Sequence, residues 1–130
     1  MKSITVQFAE LISKIQFDDL PTNVIDRAKQ SILDLLGVAV GGFHMPFPQI
    51  VVNYLSNLGG KKEATLLFQG KRIKIPAVHA AFGNGVCGHA LDMDNGCRYG
   101  GGHMGATVIP AAIAGSEVCG SDGKALILGT

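Results

Sequence analysis

Six side chains able to bind charge or move protons fall within fifteen residues: His89, Asp92, Asp94, Arg98, Tyr99 and His103. A histidine titrates near neutrality and can take or return a proton. Carboxylates beside it orient the ring and stabilise its charged form. A cationic pair such as Arg98 and His103 can hold carboxylate oxygens. Together these residues suit acid–base chemistry on a small carboxylate. A plainer role fits the same residues, with Asp92 and Asp94 capping a helix and the histidines satisfied in the core. Composition alone leaves both readings open.

The setting of this group is unusual. From Met1 to Ile75 there are fifteen charged side chains, but from Pro76 to Gly120 only Asp92, Asp94, Arg98 and Glu117. That second stretch holds three of the four His, all three Cys and ten of the eighteen Gly. A segment so poor in solvating charge is expected to be largely buried. Charges that remain there need partners or a task.

Three better-known patterns can be weighed against the same stretch. Gly83-Asn84-Gly85-Val86-Cys87-Gly88 matches the dinucleotide fingerprint letter for letter. That fingerprint needs a strand-to-helix turn and an acidic residue about 20 positions on. Here the preceding segment is Ala-rich and position 108 is Val, so close packing of backbone against a neighbouring helix explains these glycines better. Asp92-Met93-Asp94-Asn95-Gly96 begins like a calcium loop, but Gly96, Cys97 and His103 occupy the fifth, sixth and twelfth places. A transition-metal site from His89, Asp92, Asp94 and His103 is chemically possible, since carboxylate and imidazole suit such ions. Its spacing follows no strict template, and the reading adopted from sequence assigns no metal. Cys87, Cys97 and Cys119 lack C-x-x-C spacing and read as buried small residues, with Cys97 the most exposed of them.

The elements that must position these residues are mainly helices. Ser3 can cap a helix that turns Ile4, Phe8, Leu11, Ile12 and Ile15 toward a core. From Pro21, apolar residues at Val24, Ile25, Ala28, Ile32, Leu35, Leu36 and Ala39 recur in steps of three and four, and Gly41-Gly42 ends the helix. Pro48 can open a third helix, stopped by Gly59-Gly60. Ala64 to Phe68, a Gln69-Gly70 turn and Arg72 to Ile75 predict a small hairpin with Lys71, Arg72 and Lys74 on a solvated edge. Ala77 to Val86 predicts a small-residue helix, followed by a Gly-rich loop from Asp92 to Gly102. A helix from Met104 to Val118 then follows, with Pro110 kinking or dividing it. Ser121-Asp122 is an N-cap signal, yet the apolar run Ala125 to Leu128 stops at once. The expected reason is that the chain is cut inside a helix of a larger fold; a short helix closed by Gly129 is the other reading. The fold class is all-α, mostly helical, with one small β-hairpin near 64–75.

Length, charge and cysteine usage narrow the function classes. The 130 residues carry eleven Lys and Arg against ten Asp and Glu, a formal charge of +1, which gives no electrostatic reason to expect nucleic acid or an anionic membrane as partner. A 47% hydrophobic share against 16% charged is enough to bury a core and excludes general disorder. No apolar stretch reaches the ~18 residues of a membrane span, and Glu10 interrupts any secretion signal. Three cysteines suit a reducing, cytoplasmic setting.

With these residues in view, the sequence resembles the MmgE/PrpD family, which includes 2-methylcitrate dehydratase, cis-aconitate decarboxylase and an iminodisuccinate epimerase. The resemblance runs from Leu20-Pro21-Thr22-Asn23-Val24 and Ala28-Lys29 through Leu33-Asp34-Leu35-Leu36-Gly37 and Glu63-Ala64-Thr65. It continues through Ala80-Ala81-Phe82-Gly83-Asn84-Gly85 and His89-Ala90-Leu91-Asp92-Met93-Asp94. It closes on Gly102-His103-Met104-Gly105 and Val108-Ile109-Pro110-Ala111-Ala112. The resemblance implies that Asp92 and His103 are catalytic, and that Arg98, Asp94 and His89 bind substrate. The chain departs from the family pattern in Asn95 for the second acid, Met104 for the usual Pro, and Gly96 where some members carry Thr.

The resemblance further implies the N-terminal part of a helical domain, truncated before a later lysine and histidine of the site. The whole enzyme would move a proton α to a carboxylate on a small di- or tricarboxylate. It would use neither an organic cofactor nor an iron–sulfur cluster, and would act as a dimer. The alternative is a non-catalytic remnant, or a helical module that oligomerises without activity of its own.

Overall fold

The computed structural model describes residues 2–68 and 71–130 of the chain. Ser3 opens α1 (Ile4–Lys14), its hydroxyl accepting the Val6 amide at 3.4 Å. After a single 3-10 turn, Phe17–Asp19, comes α2 (Thr22–Gly42), which starts behind Pro21 as expected and buries Leu35 and Ala39. Pro46 rather than Pro48 opens α3 (Pro46–Asn57). A proline in the first turn gives up an amide that has no helical partner anyway, and Pro48 is packed in the core instead. Gly59 and Gly60 end this segment at φ +70° and +109°, conformations that cost an L side chain energy.

Strands β1 (Ala64–Phe68) and β2 (Lys71–Ile75) pair antiparallel from Ala64 opposite Ile75 to Phe68 opposite Lys71. The expected Gln69-Gly70 turn, and the side chains of Lys71 and Arg72, lie outside the described residues. Lys74 on that edge is half-exposed and reaches Glu117 at 3.8 Å. The outer edge of β1 is closed by side chains from two helices. Asn84 accepts from the Leu67 amide and donates to the Thr65 carbonyl, both at 3.0 Å. Glu117 accepts from the Thr65 amide, and from the Thr65 hydroxyl at 2.7 Å. Buried backbone groups need such partners.

Helix α4 (Ala77–His89) runs three residues beyond the expected Val86, straight through the glycine motif. It sits at the centre of the fold against α2, α3, both strands and α5 (Gly105–Cys119). The motif's glycines therefore serve helix packing and are not at a strand-to-helix turn. A Cβ on Gly85 would stand 2.6 Å from the Ala106 carbonyl oxygen, and one on Gly88 would stand 2.6 Å from Leu35 Cδ1. Pro110 lies inside an unbroken α5 and does not divide it. Having no N–H, Pro110 frees the Ala106 carbonyl from its helical partner, and this is the oxygen that faces Gly85. Helix α6 (Gly123–Leu128) is capped by the Asp122 carboxylate, which accepts from the Ala125 amide at 3.0 Å, with Gly129 at its other end.

Two expectations about burial are corrected. The stripe on α1 does not face the core: Ile4, Phe8, Leu11 and Ile12 are all exposed. The helix is amphipathic by local pattern, but none of the described elements packs across that stripe. Cys87 is buried and Cys97 exposed as expected, whereas Cys119 is exposed because it ends α5 at the surface. The fold is mostly helical with one two-stranded hairpin, in agreement with the predicted class. Among the described residues no single helix is long and apolar enough to cross a membrane.

Candidate active site

The site forms where α4 ends and α5 begins. His89 occupies the last turn of α4. The chain then bends at Asp92, which adopts φ +52°, a left-handed value tolerated best by Gly, Asn and Asp. The loop crosses back through Asp94 and reaches His103 just before α5. Two anchors shape it. Asn95 donates its side-chain amide to the Ser31 hydroxyl of α2 at 2.7 Å. The Cys97 amide donates to the Gly102 carbonyl at 2.8 Å, pinching residues 98–101 into an outward turn.

Asp94 is the hub. Its side chain is fully enclosed, and its Oδ1 lies 2.9 Å from His89 Nδ1 and 3.2 Å from His103 Nδ1. An ionised carboxylate only accepts, so both rings present Nδ1–H to it and keep Nε2 free. The two rings meet edge to face, with centroids 5.1 Å apart. His103 Nε2 looks toward Asp92 Oδ1 at 3.7 Å. The pKa of His89 is raised, first by its hydrogen bond to Asp94, then by the charge of that carboxylate and, less, by Asp92. Neither carboxylate caps a helix: Met104 stands at the N-cap of α5, and no side-chain cap bond is made there. The rings are half-exposed, with 53% of His89 and 36% of His103 open to solvent. This arrangement disagrees with the plainer reading of helix caps and buried core histidines.

His103 stands between two hollows. One is an apolar cleft of about 660 Å3 walled by Phe82, Val86, Met104 and Thr107 and reaching both histidines. The other is a shallow recess of about 430 Å3 lined by Gly96, Cys97, Arg98 and His103. Arg98 makes no hydrogen bond or ion pair among the described residues, so its guanidinium is free to meet an anion there. Tyr99 points fully into solvent and joins neither hollow. The structure thus brings His89, Asp92, Asp94 and His103 into one cluster, with Arg98 on its rim. Sequence reasoning missed Ser31, which lies far off in the chain and is set only by how α2 packs; the sole hint was a polar residue on an apolar helix face. It also missed the apolar wall from Phe82 and Val86.

Residues 6–130 match the MmgE/PrpD N-terminal domain. The chain belongs to the MmgE/PrpD family. It is 31% identical to a cis-aconitate decarboxylase of Mus musculus and 32% identical to one of Homo sapiens, over 117 residues in each case. It is also 28% identical over 123 residues to a cis-aconitate decarboxylase of Aspergillus terreus. These matches cover 90% of the chain for the two mammalian relatives and 95% for the fungal one. They cover only 24%, 24% and 25% of the relatives, so the chain spans about a quarter of the length of the proteins it matches. Within the MmgE/PrpD domain, the match takes in α4, the loop and α5, the elements that carry the cluster.

Proposed function

We propose that this chain supplies the proton-transfer side of an MmgE/PrpD lyase or isomerase acting on a small di- or tricarboxylate. The observation that carries the reading is His103, oriented at Nδ1 by enclosed Asp94 and open at Nε2 beside Asp92 and the recess of Arg98. In this scheme Nε2 takes the proton α to a substrate carboxylate, and the neighbouring carboxylates stabilise the imidazolium that results. Arg98 holds a substrate carboxylate by charge-assisted hydrogen bonds, and His89 completes the binding wall, while enclosed Asp94 acts through the two rings it holds rather than by touching substrate. In a dehydration the hydroxyl on the neighbouring carbon then takes that proton and leaves as water. In a decarboxylation carbon dioxide leaves first, its bonding pair stays on carbon as a carbanion-like state, and the His103 imidazolium protonates it. The apolar cleft is suited to the hydrocarbon part of the substrate. The relatives' name makes cis-aconitate the first substrate to try, with 2-methylcitrate next. The scheme needs no organic cofactor. We further propose that the enzyme is a cytoplasmic dimer, the sparse, odd count of three cysteines speaking for a reducing compartment.

A second reading is a non-catalytic module that oligomerises, favoured by the uncovered stripe on α1. A hybrid separates the two: this chain replaces the matched N-terminal quarter of a cis-aconitate decarboxylase. Turnover of cis-aconitate by the hybrid, lowered ~10²–10⁴-fold in kcat by Asp92→Ala or His103→Ala with an unchanged thermal transition, supports catalysis. A folded hybrid without turnover, or variants with near-normal kcat, favours the second reading.

A further inference from the structure

Asp94 is an enclosed carboxylate with only one oxygen partnered. Its Oδ1 receives both imidazoles, while Oδ2 is buried without a hydrogen-bond partner among the described residues. The two ring hydrogen bonds leave Oδ2 unserved, and a buried carboxylate is stabilised by further partners or by a cation beside it. Asp92 adds a second carboxylate on the other side of His103. His89, Asp92, Asp94 and His103 can each offer one ligand atom, and these atoms lie within 4.8 Å of one another. Zinc bonds of about 2.0–2.1 Å in a tetrahedron put neighbouring ligand atoms about 3.3 Å apart. Asp94 Oδ1 stands 2.9 and 3.2 Å from the two Nδ1 atoms, close to that spacing before any ion enters. Imidazole and carboxylate both suit zinc, and the half-exposed rings leave a path inward.

We propose that His89, Asp92, Asp94 and His103 form a binding site for a divalent transition-metal ion of the zinc type. The ion places a divalent positive charge beside enclosed Asp94. His103 gives the ion one ring nitrogen, so its Nε2 is then either bound to the metal or carries the ring's proton. In both cases Nε2 has no lone pair to offer, so the bound ion silences proton transfer. That consequence rests on the reaction proposed above; the binding itself does not.

Cobalt(II) added to the purified 130-residue chain is the test, with zinc as competitor. Saturable visible absorption at one ion per chain is expected, without a thiolate charge-transfer band and reversed by zinc. His89→Ala removes a half-exposed ring and should weaken cobalt binding by at least the ~10–100-fold that even a supporting residue contributes. Asp94→Asn should do the same, with far-UV circular dichroism reporting whether it folds. Cys97→Ser should change nothing. No saturable signal up to about 1 mM cobalt, binding that survives His89→Ala, or binding that follows Cys97 would overturn the site. The two proposals fail separately. Absent cobalt binding with the expected kcat loss in the His103→Ala hybrid rejects only the metal site. Cobalt binding with normal turnover in that hybrid rejects only the reaction.

Discussion

Replacing Gly85 with alanine tests the contact that sets how closely α4 approaches α5. The added Cβ would lie 2.6 Å from the Ala106 carbonyl oxygen, a backbone atom that no rotamer change can move. Ordinary contact begins at 3.4 Å, so one helix must retreat by 3.4 − 2.6 = 0.8 Å. Overpacking of this kind costs about 1–3 kcal/mol. Alanine recovers about 1 kcal/mol through its better helix propensity, so the net expectation is a loss of up to ~2 kcal/mol. Gly37 is the control. It lies inside α2 with nothing within 4 Å of a Cβ, so Gly37→Ala should stabilise by about 1 kcal/mol. Urea unfolding followed by circular dichroism, at one fixed low protein concentration so that association weighs equally on each variant, reads both. A Gly85→Ala variant as stable as Gly37→Ala would refute the packing argument and the role given to Pro110 in freeing the Ala106 carbonyl.

Three further outcomes are expected. In the hybrid enzyme, Arg98→Ala should mainly raise KM, because an anchor for a substrate carboxylate acts in ground and transition states alike; an unchanged KM in steady-state kinetics removes Arg98 from the site. Two thiols per chain, Cys97 and Cys119, should react quickly with a disulfide reagent, while Cys87 reacts only on unfolding, since burial pushes its pKa up to about 12; a third fast thiol would contradict the packing of α4. The isolated chain should self-associate in sedimentation through the stripe of Ile4, Phe8, Leu11 and Ile12, and Leu11→Lys should reduce this; a sharp monomer of the unaltered chain contradicts the expectation.

The helices were legible in the sequence because their signals are local. Steps of three and four along Val24 to Ala39, the caps at Ser3 and Asp122, and the Gly59-Gly60 stop each act within a turn or two of chain. The hairpin followed from short apolar runs flanking a turn. Membership of the side-chain cluster was legible for a similar reason, since His89 to His103 lie within fifteen residues. Its geometry was not. That one buried oxygen of Asp94 would take both imidazoles depends on how far α4 stands from α5, which Gly85 and the freed Ala106 carbonyl decide. The metal-like convergence of four side chains escaped a spacing rule because loop residues 92 and 94 have no fixed period. Ser31 was out of reach as well, being sixty-four positions from Asn95 and joined to it only by packing. The α1 stripe shows the converse limit: an amphipathic pattern determines that a face will be apolar, whereas what covers that face belongs to the tertiary structure.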